Sequence, residues 1–357
     1  MFANHPFSRI SFYPLRLILV AEMVESGEIV GVVRGCIKTI GSHSGSLFKM
    51  GCVLGLRVSP TYRRKGVGQK LVSSVEEWMV RNGAKYSFVA TEKNNTASTN
   101  LFSLKCHYLN LTSLLIFVQP TSFPHNHVSA ATATRQVKIQ KLNIAQAISL
   151  YTRTLKHKDL YLTDMDLILK EKLSLGTWVT YYKDDGNWEL DNETSNFPTS
   201  WIVFSLWNTC EADKLHVRSK SKPFRVLIHS TLNHARDKIF PCLRIPVSDS
   251  LLRPFGFLFM YGLHGVGDNL GELMECAWRF TSRLGESMKD CKVVITELGF
   301  GDPLAKLVPR TASMSCIDDL WYIKRLSGLS DEKDDDDDDE VLLKGQVRNV
   351  FVDPRDF

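Results

Sequence analysis

A basic, glycine-containing segment, Arg63-Arg64-Lys65-Gly66-Val67-Gly68, constrains the fold of this chain more than any other feature. A β-rich run, Met50 to Val58, leads into it and stops at Ser59-Pro60, because proline cannot donate to a strand ladder. After it, apolar residues spaced three and four apart predict an amphipathic helix from about Gln69 to Arg81. The segment therefore lies between a strand and the N-terminus of a helix.

A helix N-terminus attracts anions, since its first backbone N–H groups are free and the helix dipole is positive there. Glycines let the backbone approach a phosphate closely, and basic side chains neutralise a diphosphate. We therefore predict a diphosphate-binding loop made of these residues: Arg63, Arg64, Lys65, Gly66, Val67, Gly68, Gln69 and Lys70.

Two other phosphate-binding folds fit the sequence less well. A dinucleotide-binding fold needs a third glycine and a strand–helix–strand unit, whereas a predicted hairpin of Arg16 to Val24 and Glu28 to Ile40 precedes this loop. A P-loop needs Gly-Lys-Ser/Thr, which the sequence lacks. The pattern instead predicts an α+β fold, with a mixed, mostly antiparallel sheet and flanking helices.

The second half of the chain resembles the first. Gly66-Val67-Gly68-x-x-Leu71 returns as Gly265-Val266-Gly267-x-x-Leu270, and Val89-Ala90-Thr91-Glu92 returns as Val294-Ile295-Thr296-Glu297. In each half the first motif opens the main helix and the second ends the next strand, which favours a repeat. The alternative is two unrelated α+β halves.

The other elements follow from hydrophobic periodicity. The predicted strands are Tyr86 to Thr91, Leu109 to Val118, Val137 to Leu142, Gly176 to Tyr182, Trp201 to Trp207, Phe257 to Gly262, Lys292 to Thr296 and Leu320 to Leu326. The predicted helices are Ala97 to Lys105, Asn143 to Thr154, Thr163 to Leu173 and Gly267 to Leu284.

We predict a first domain over residues 1–120 and a second over residues 137–328, joined by a linker at 121–136. An acidic segment at 329–345 is predicted to be disordered, and a tail at 346–357 to dock back as a short strand or hook.

The formal net charge is +5, and it becomes +13 without Asp331 to Glu340, which holds nine acidic residues and one lysine. That basic body favours an anionic ligand or is simply a soluble surface. The acidic run fits a basic partner such as a histone, or a solubilising linker.

Eight cysteines stand singly, without a C-x-x-C pair, so we expect free thiols and no metal site. No apolar run approaches the roughly 20 residues that span a bilayer. The aromatic residues are not interleaved with basic ones as in single-strand binders. We therefore expect a nuclear or cytoplasmic protein without a membrane partner and without direct sequence-specific nucleic-acid binding.

Around the loop, the stretch from Leu56 to Leu71 resembles motif A of the GNAT acetyltransferase superfamily, and Arg63, Gly66 and Gly68 meet its R/Q-x-x-G-x-G/A core. Asn95-x-x-Ser98-x-x-Leu101-Phe102 resembles the helix that follows the fifth strand of that family. Five segments resemble the Hookless-type N-acetyltransferases of plants: Val20 to Met23, Arg34 to Thr39, Leu54 to Pro60, Lys172 to Thr177 and Phe351 to Arg355.

The resemblance implies tandem GNAT-like domains in which two parallel strands splay apart to admit acetyl-CoA. It implies that the pantetheine arm pairs with the backbone of Leu56, Arg57 and Val58, and that the cofactor also contacts Asn95, Ser98 and Phe102. The acceptor amine then attacks the thioester directly, which calls for a base and an acid.

Glu92, at the end of a predicted strand, is the predicted base; a helix-capping or surface glutamate is the alternative. The tyrosine that usually serves as general acid in the family falls at Phe102, which has no proton to give. Tyr108 is the predicted acid; the alternatives are His107 and a reaction without a dedicated acid. Asp268 places negative charge at the second glycine motif, and we therefore predict that the second copy does not bind coenzyme A.

The implied function is an acetyl-CoA-dependent N-acetyltransferase in plant developmental regulation, with an amine acceptor such as protein or histone lysine. The alternative is a catalytically inactive regulator that binds acetyl-CoA or a protein partner. Far fewer residues precede the hairpin in the first copy than in the second. We therefore expect the first domain to lack its first strand and helices.

Overall fold

The computed structural model describes residues 9–121, 135–190, 195–210, 215–219, 226–230, 255–311, 314–326, 342, 344 and 347–357. The strands are β1 (Arg16–Glu22), β2 (Ile29–Ser42), β3 (Leu47–Val58), β4 (Tyr86–Glu92), β5 (Leu109–Pro120), β6 (Val137–Leu142), β7 (Leu160–Leu162), β8 (Ser174–Tyr182), β9 (Glu189–Leu190), β10 (Ser195–Asn196), β11 (Trp201–Asn208), β12 (Leu215–Ser219), β13 (Val226–Ser230), β14 (Gly256–Val266), β15 (Cys291–Gly299) and β16 (Ser315–Arg325). The helices are α1 (Val67–Arg81), α2 (Thr96–Asn100), α3 (Ile144–Thr154), α4 (Met165–Lys170) and α5 (Leu270–Ser287).

One open, mixed sheet runs through both halves of the chain in the order β1-β2-β3-β4-β16-β5-β15-β14-β11-β8-β6, and β7 pairs with β2. Two neighbouring pairs, β3 with β4 and β14 with β15, are parallel. Helix α1 connects the first pair and α5 connects the second, as parallel neighbours require a crossover. The other ladders of this sheet are antiparallel, so the predicted α+β class with a mixed, mostly antiparallel sheet is confirmed.

The last long strand crosses the predicted domain boundary. Strand β16 lies between β4 and β5, and it pairs antiparallel with both. Strand β5 in turn pairs with β15. Each parallel pair is therefore flanked by a strand from the other half of the chain, and the sheet is continuous across the midpoint.

Helix α1 packs on β2 and β3 through one apolar stripe. Leu71, Val72, Val75 and Met79 are buried there, and Gly35 of β2 makes room, because an added Cβ would lie 2.9 Å from Val75 Cγ1. Burial of each such side chain contributes about 1.5–3 kcal/mol. This stripe holds the N-terminus of α1 beside the end of β3.

The opposite face of the sheet is covered by α3, α4 and the C-terminal tail, residues 347–357. The Phe357 ring stacks on Phe259 of β14 with ring centroids 4.0 Å apart, and Phe351 packs edge-on against Tyr261. The tail thus docks on the molecule, and its last residues form a short 3-10 turn, Pro354–Asp356.

Buried ion pairs hold this tail on the rest of the molecule. The Nζ atom of Lys38 lies 2.7 Å from a carboxylate oxygen of Asp353 and 2.7 Å from one of Asp356. Arg355 donates to Asp353 at 2.9 Å and to Asp164, at the start of α4, at 2.7 Å. We call these five residues the tail ion cluster. It joins a strand of the first half, a helix of the second half and the end of the chain.

Several predicted boundaries shift. The helix expected over Ala97 to Lys105 is α2 followed by a π-helical turn, Leu101–Lys105, and α5 begins three residues later than predicted, at Leu270. Strand β14 extends past Gly262 to Val266. Most of the predicted linker and of the predicted acidic segment lies outside the described residues.

Candidate active site

The first parallel pair opens into a gap. In the described part of the chain, β3 pairs with β4 only at residues 50–52 and 86–88. Gly55 then adopts a φ of 57°, and the register between β2 and β3 shifts there. A positive φ suits glycine, and such a bulge bends the strand. Leu56, Arg57 and Val58 therefore diverge from β4, as the resemblance implied.

The basic loop lies at the wide end of this gap. Gly66 precedes α1 with a φ of 82°, a conformation that other residues adopt at a cost. Apart from Gly66 and its two chain neighbours, no described atom lies within 4 Å of a Cβ built on Gly66, so a ligand can approach the backbone there. The free N–H groups of the first helical turn face the same opening. The loop therefore fits a diphosphate.

The basic side chains surround this N-terminus and are exposed. Arg63 Nε donates to the Val58 carbonyl at 3.1 Å, which ties the loop to the end of β3. The ammonium of Lys65 lies 5.1 Å from the centre of the Tyr62 ring. Lys65 and Lys70 also line a groove of about 540 Å³ between α1 and β1. Arg64, with a φ of 63°, completes the set.

Other predicted cofactor residues lie along the gap. A Cβ on Gly68 would be in ordinary contact with Leu101 at 3.5 Å and Val58 at 3.6 Å. Gln69 Nε2 donates to the Lys105 carbonyl at 3.1 Å, which joins α1 to the π-helical turn. π-Helical turns occur frequently at functional sites.

The two polar residues of α2 have a local structural role. The Asn95 side chain accepts a hydrogen bond from the Ser98 backbone N–H at 3.2 Å and caps the helix. Phe102 is buried in the turn that follows, and its ring packs edge-on against Tyr108. These contacts position α2 beside the gap, while the prediction that Asn95, Ser98 and Phe102 contact the cofactor stays a prediction.

Glu92 ends β4 on the face of the sheet away from α1. Phe88 and Ala90, which alternate with it along the strand, pack in the apolar cluster of that face, whereas Val89 packs beside α1. Glu92 is 6% exposed, and its cross-strand partner is Asp319 of β16, which is fully buried. No local sequence pattern points to Asp319, because only the pairing of β16 with β4 brings it here.

Tyr108 lies far from Glu92. Its hydroxyl is 2.6 Å from that of Ser87, on the α1 side of β4. Glu92 is five positions further along the strand than Ser87, a distance of about 16 Å. Burial raises the pKa of Tyr108 well above its ordinary value, and the charge of Glu76 adds to the effect. The structure therefore does not bring Tyr108 and Glu92 together, and the role of Tyr108 as general acid stays a prediction.

The second parallel pair has the same outline. Strand β14 pairs with β15 up to Met260 and Thr296, and Gly262 then adopts a φ of 66° in a bulge. Gly262-Leu263-His264 thus corresponds to Gly55-Leu56-Arg57 in the first half, a match that sequence analysis missed.

Protein atoms occupy the N-terminus of α5. The backbone N–H of Asp268 donates to Ser200 Oγ at 3.0 Å, and Gly267 packs directly against Thr199 and Ser200. Lys158, in the same half of the chain, is buried with its Nζ 2.7 Å from Asp302. The N-terminus of α5 is thus in contact with protein atoms where that of α1 is open, and the absence of coenzyme A binding by the second copy stays a prediction.

His264, at the end of β14, stacks on His157 with ring centroids 5.6 Å apart. Burial lowers the pKa of His264 to about 4, and the charges of Lys158 and His157 add to this, against Asp302. The folded pKa is below the ordinary value of 6.5, so the unfolded chain binds more protons between these pH values. The contribution of His264 to the free energy of unfolding is therefore complete above about pH 6.5 and is lost as pH falls towards 4.

We expect His264→Gln to make the free energy of unfolding depend less on pH between about pH 4 and pH 6.5. Because the ring is partly exposed, the wild type should lose on the order of 1–2 kcal/mol more than the variant between pH 7 and pH 4. Urea unfolding at several pH values measures this. His107→Asn is the control, since His107 is exposed and asparagine tolerates its φ of 60°. Parallel curves for the wild type and His264→Gln would contradict the assignment.

Comparisons with known proteins agree with this geometry. The model of the Acetyltransferase (GNAT) family matches residues 4–108. The chain is 37% identical to "Probable N-acetyltransferase HLS1" of Arabidopsis thaliana over 99% of this chain and 90% of that protein. It is 31% identical to "Acetyl transferase GW6a" of Oryza sativa subsp. japonica over 99% of this chain and 80% of that protein.

A crystal structure of Saccharomyces cerevisiae N-myristoyltransferase with bound myristoyl-CoA aligns with 93% of this chain and 75% of its own, at a TM-score of 0.47 and 12% identity. The splayed strands, the basic helix N-terminus and the family match define an acyl-CoA-dependent transferase. The chain belongs to the GNAT acetyltransferase family and, within it, to the relatives of the plant Hookless-type proteins. The described helices include none that is long and apolar enough to cross a membrane.

Proposed function

We propose that this protein is an N-acetyltransferase that uses acetyl-CoA and transfers the acetyl group by direct attack of an amine. The observation that carries the proposal is the junction of a splayed parallel strand pair with an open, basic helix N-terminus at Gly66. A coenzyme A molecule combines an anionic diphosphate with a narrow amide-bearing arm, and this junction has a complement for each. The acetyl thioester supplies the reactive carbonyl when acetyl-CoA is bound.

Each part of the proposed site has one role in the transfer. The loop from Arg63 to Gly68 holds the diphosphate, and the exposed backbone edge of Leu56 to Val58 pairs with the pantetheine arm. Glu92, on the far face of β4, takes the proton from the acceptor amine. The cofactor and the acceptor thus approach the gap from opposite faces of the sheet.

The two halves are proposed to be related GNAT-like units, each with a bulged strand, a helix and a parallel partner strand. The second unit, whose helix N-terminus contacts Ser200, is proposed to have lost coenzyme A binding and to support the first unit. The similarity to plant relatives supports a protein acceptor amine, with histone lysine as one candidate, in developmental regulation. We place the protein in the nucleus or the cytoplasm.

Calorimetric titration with acetyl-CoA tests the proposal. We expect Arg63→Glu/Lys65→Glu to weaken binding at least 100-fold, about 2.7 kcal/mol, because two attractive charges at the diphosphate become repulsive. Lys289→Glu/Lys306→Glu makes the same change in net charge at exposed positions of the second half and should bind like the wild type. Equal affinity in all three proteins would sink the assignment of the loop.

A regulator that binds acetyl-CoA without catalysis is the second candidate. It is favoured by Phe102, which has no exchangeable proton at the position of the family's tyrosine, and by the distance of the Tyr108 hydroxyl, which lies at Ser87, from Glu92. A wild-type chain that binds acetyl-CoA but releases no thiol with any of a panel of lysine peptides and small amines would establish it.

A further inference from the structure

Strand β16 brings a second acidic residue to the proposed site. Asp319 and Glu92 are directly opposite each other in the β4–β16 ladder. In an antiparallel pair, opposite residues point to the same face with Cβ atoms about 4.5–5.5 Å apart. Asp319 is fully buried and Glu92 is 6% exposed, so the two side chains are neighbours in the interior of the molecule.

The two residues lie beyond the paired part of β3 and β4. Pairing between β3 and β4 ends at Phe88, and Glu92 is two same-face positions further along β4. The faces alternate, so both carboxyl groups are on the side away from α1 and its basic loop. A thioester that enters from the side of the loop therefore meets the two acids on the other face.

The orientation of Asp319 is fixed by its own strand. Trp321 Nε1 donates to Asp319 Oδ2 at 3.2 Å, and the Trp321 ring packs edge-on against Phe88 with centroids 4.7 Å apart. An indole N–H orients a carboxyl group without bringing a charge, since indole is a neutral donor. The carboxyl group of Asp319 is thus held in place beside Glu92.

We infer that Asp319 is a substrate-binding residue of the acetyl transfer, and that it selects acceptors whose amine is a cation at neutral pH, such as the lysine side chain or another alkylamine. The inference rests on the proposed function. The ammonium binds between Asp319 and Glu92, where two carboxyl groups favour a cation over a neutral aromatic amine or an alcohol.

The reaction then balances in atoms and charge. Glu92 takes one proton from the ammonium, and the nitrogen lone pair forms the C–N bond with the acetyl carbon. The C–S bond breaks, its electron pair leaves with sulfur, and the second proton of the nitrogen goes to the thiolate. The products are an N-acetylated amine, coenzyme A and the proton held by Glu92, which passes to solvent.

The test uses the full chain and an N-terminally acetylated peptide with a single lysine. We expect Asp319→Asn to raise the Kd and the KM for this peptide at least tenfold, with kcat within threefold and acetyl-CoA affinity unchanged. Asp318→Asn is the matched control, because Asp318 is the next residue of the same strand, faces the other way and is half exposed. It should leave the peptide Kd, the KM and kcat unchanged.

Two further variants separate a binding role from a folding role. Asp319→Glu keeps the charge and should restore most of the peptide affinity, whereas a purely structural role predicts no such rescue. If Asp319→Asn fails to fold, Trp321→Phe takes its place and should raise KM at least threefold by releasing the carboxyl group.

The possible outcomes are distinct. Equal peptide Kd values for the wild type, Asp319→Asn and Asp318→Asn overturn the inference about Asp319, even where acetyl-CoA binds normally and the proposed function stands. A wild type that does not bind acetyl-CoA defeats the proposed function. Peptide binding, measured without cofactor, still decides whether Asp319 recognises a cation, and a wild type that does not bind the peptide also overturns the inference.

Discussion

Replacing Asp353 with alanine is expected to lower the free energy of unfolding by about 3–5 kcal/mol, because it leaves the charges of Lys38 and Arg355 buried without their shared carboxylate. All three side chains are at most 4% exposed. Urea unfolding monitored by tryptophan fluorescence measures the change. Asp166→Ala is the control, since Asp166 forms an exposed i,i+4 pair with Lys170 and its loss should cost at most about 0.5 kcal/mol.

The tail ion cluster also predicts a pH dependence. Burial opposes ionisation of Asp353, but the charges of Arg355 and Lys38 outweigh it and hold the pKa of Asp353 well below its ordinary value. The stabilisation is therefore complete above about pH 4 and is lost as pH falls further. Asp353→Ala should lack this acid-sensitive component. A loss of less than about 1 kcal/mol in the free energy of unfolding at neutral pH would show that the tail ion cluster does not stabilise the fold.

Replacing Glu92 with glutamine is expected to lower kcat by a factor of about 10²–10⁴, the usual contribution of a general base. The amide keeps the size of the side chain but cannot accept the proton of the amine. Release of the coenzyme A thiol with a lysine peptide measures the rate, and calorimetry should give an unchanged acetyl-CoA affinity. The rise of the rate with pH that a base produces should vanish in the variant.

Glu297→Gln is the matched control, because Glu297 near the end of β15 corresponds in the repeated motif to Glu92 at the end of β4 and is also buried. It should change kcat less than threefold. An unaltered rate for Glu92→Gln across the pH range would show that another group or solvent takes the proton.

The local elements of this protein were accessible from sequence because each has a short-range cause. The period of three and four in residues 69–81 places α1 within two residues of its true start, and the glycine loop at its N-terminus has a mechanism of its own. Strands β8 and β11 also lie where hydrophobic periodicity predicts them. These features need only neighbouring residues to define them.

The order of strands in the sheet was not accessible in the same way. The run Leu320 to Leu326 predicts a strand, but its alternation says which side chains are buried and not which strands lie beside it. Its pairing with β4 joins residues more than 200 positions apart. Asp319 consequently went unnoticed, and Tyr108, close to the motif in sequence, proved to lie on the other face of β4.

The position of β16 has a consequence for synthesis on the ribosome. Strand β4 is translated about 200 residues before its partner β16, an interval of roughly 10–40 s at ordinary elongation rates. Throughout that time β4 has an unpaired edge, a template for wrong pairing with other chains. The first half of the nascent chain therefore cannot complete its sheet until β16 is synthesised. The yield of folded protein in a cell is expected to depend on chaperones that shield this edge.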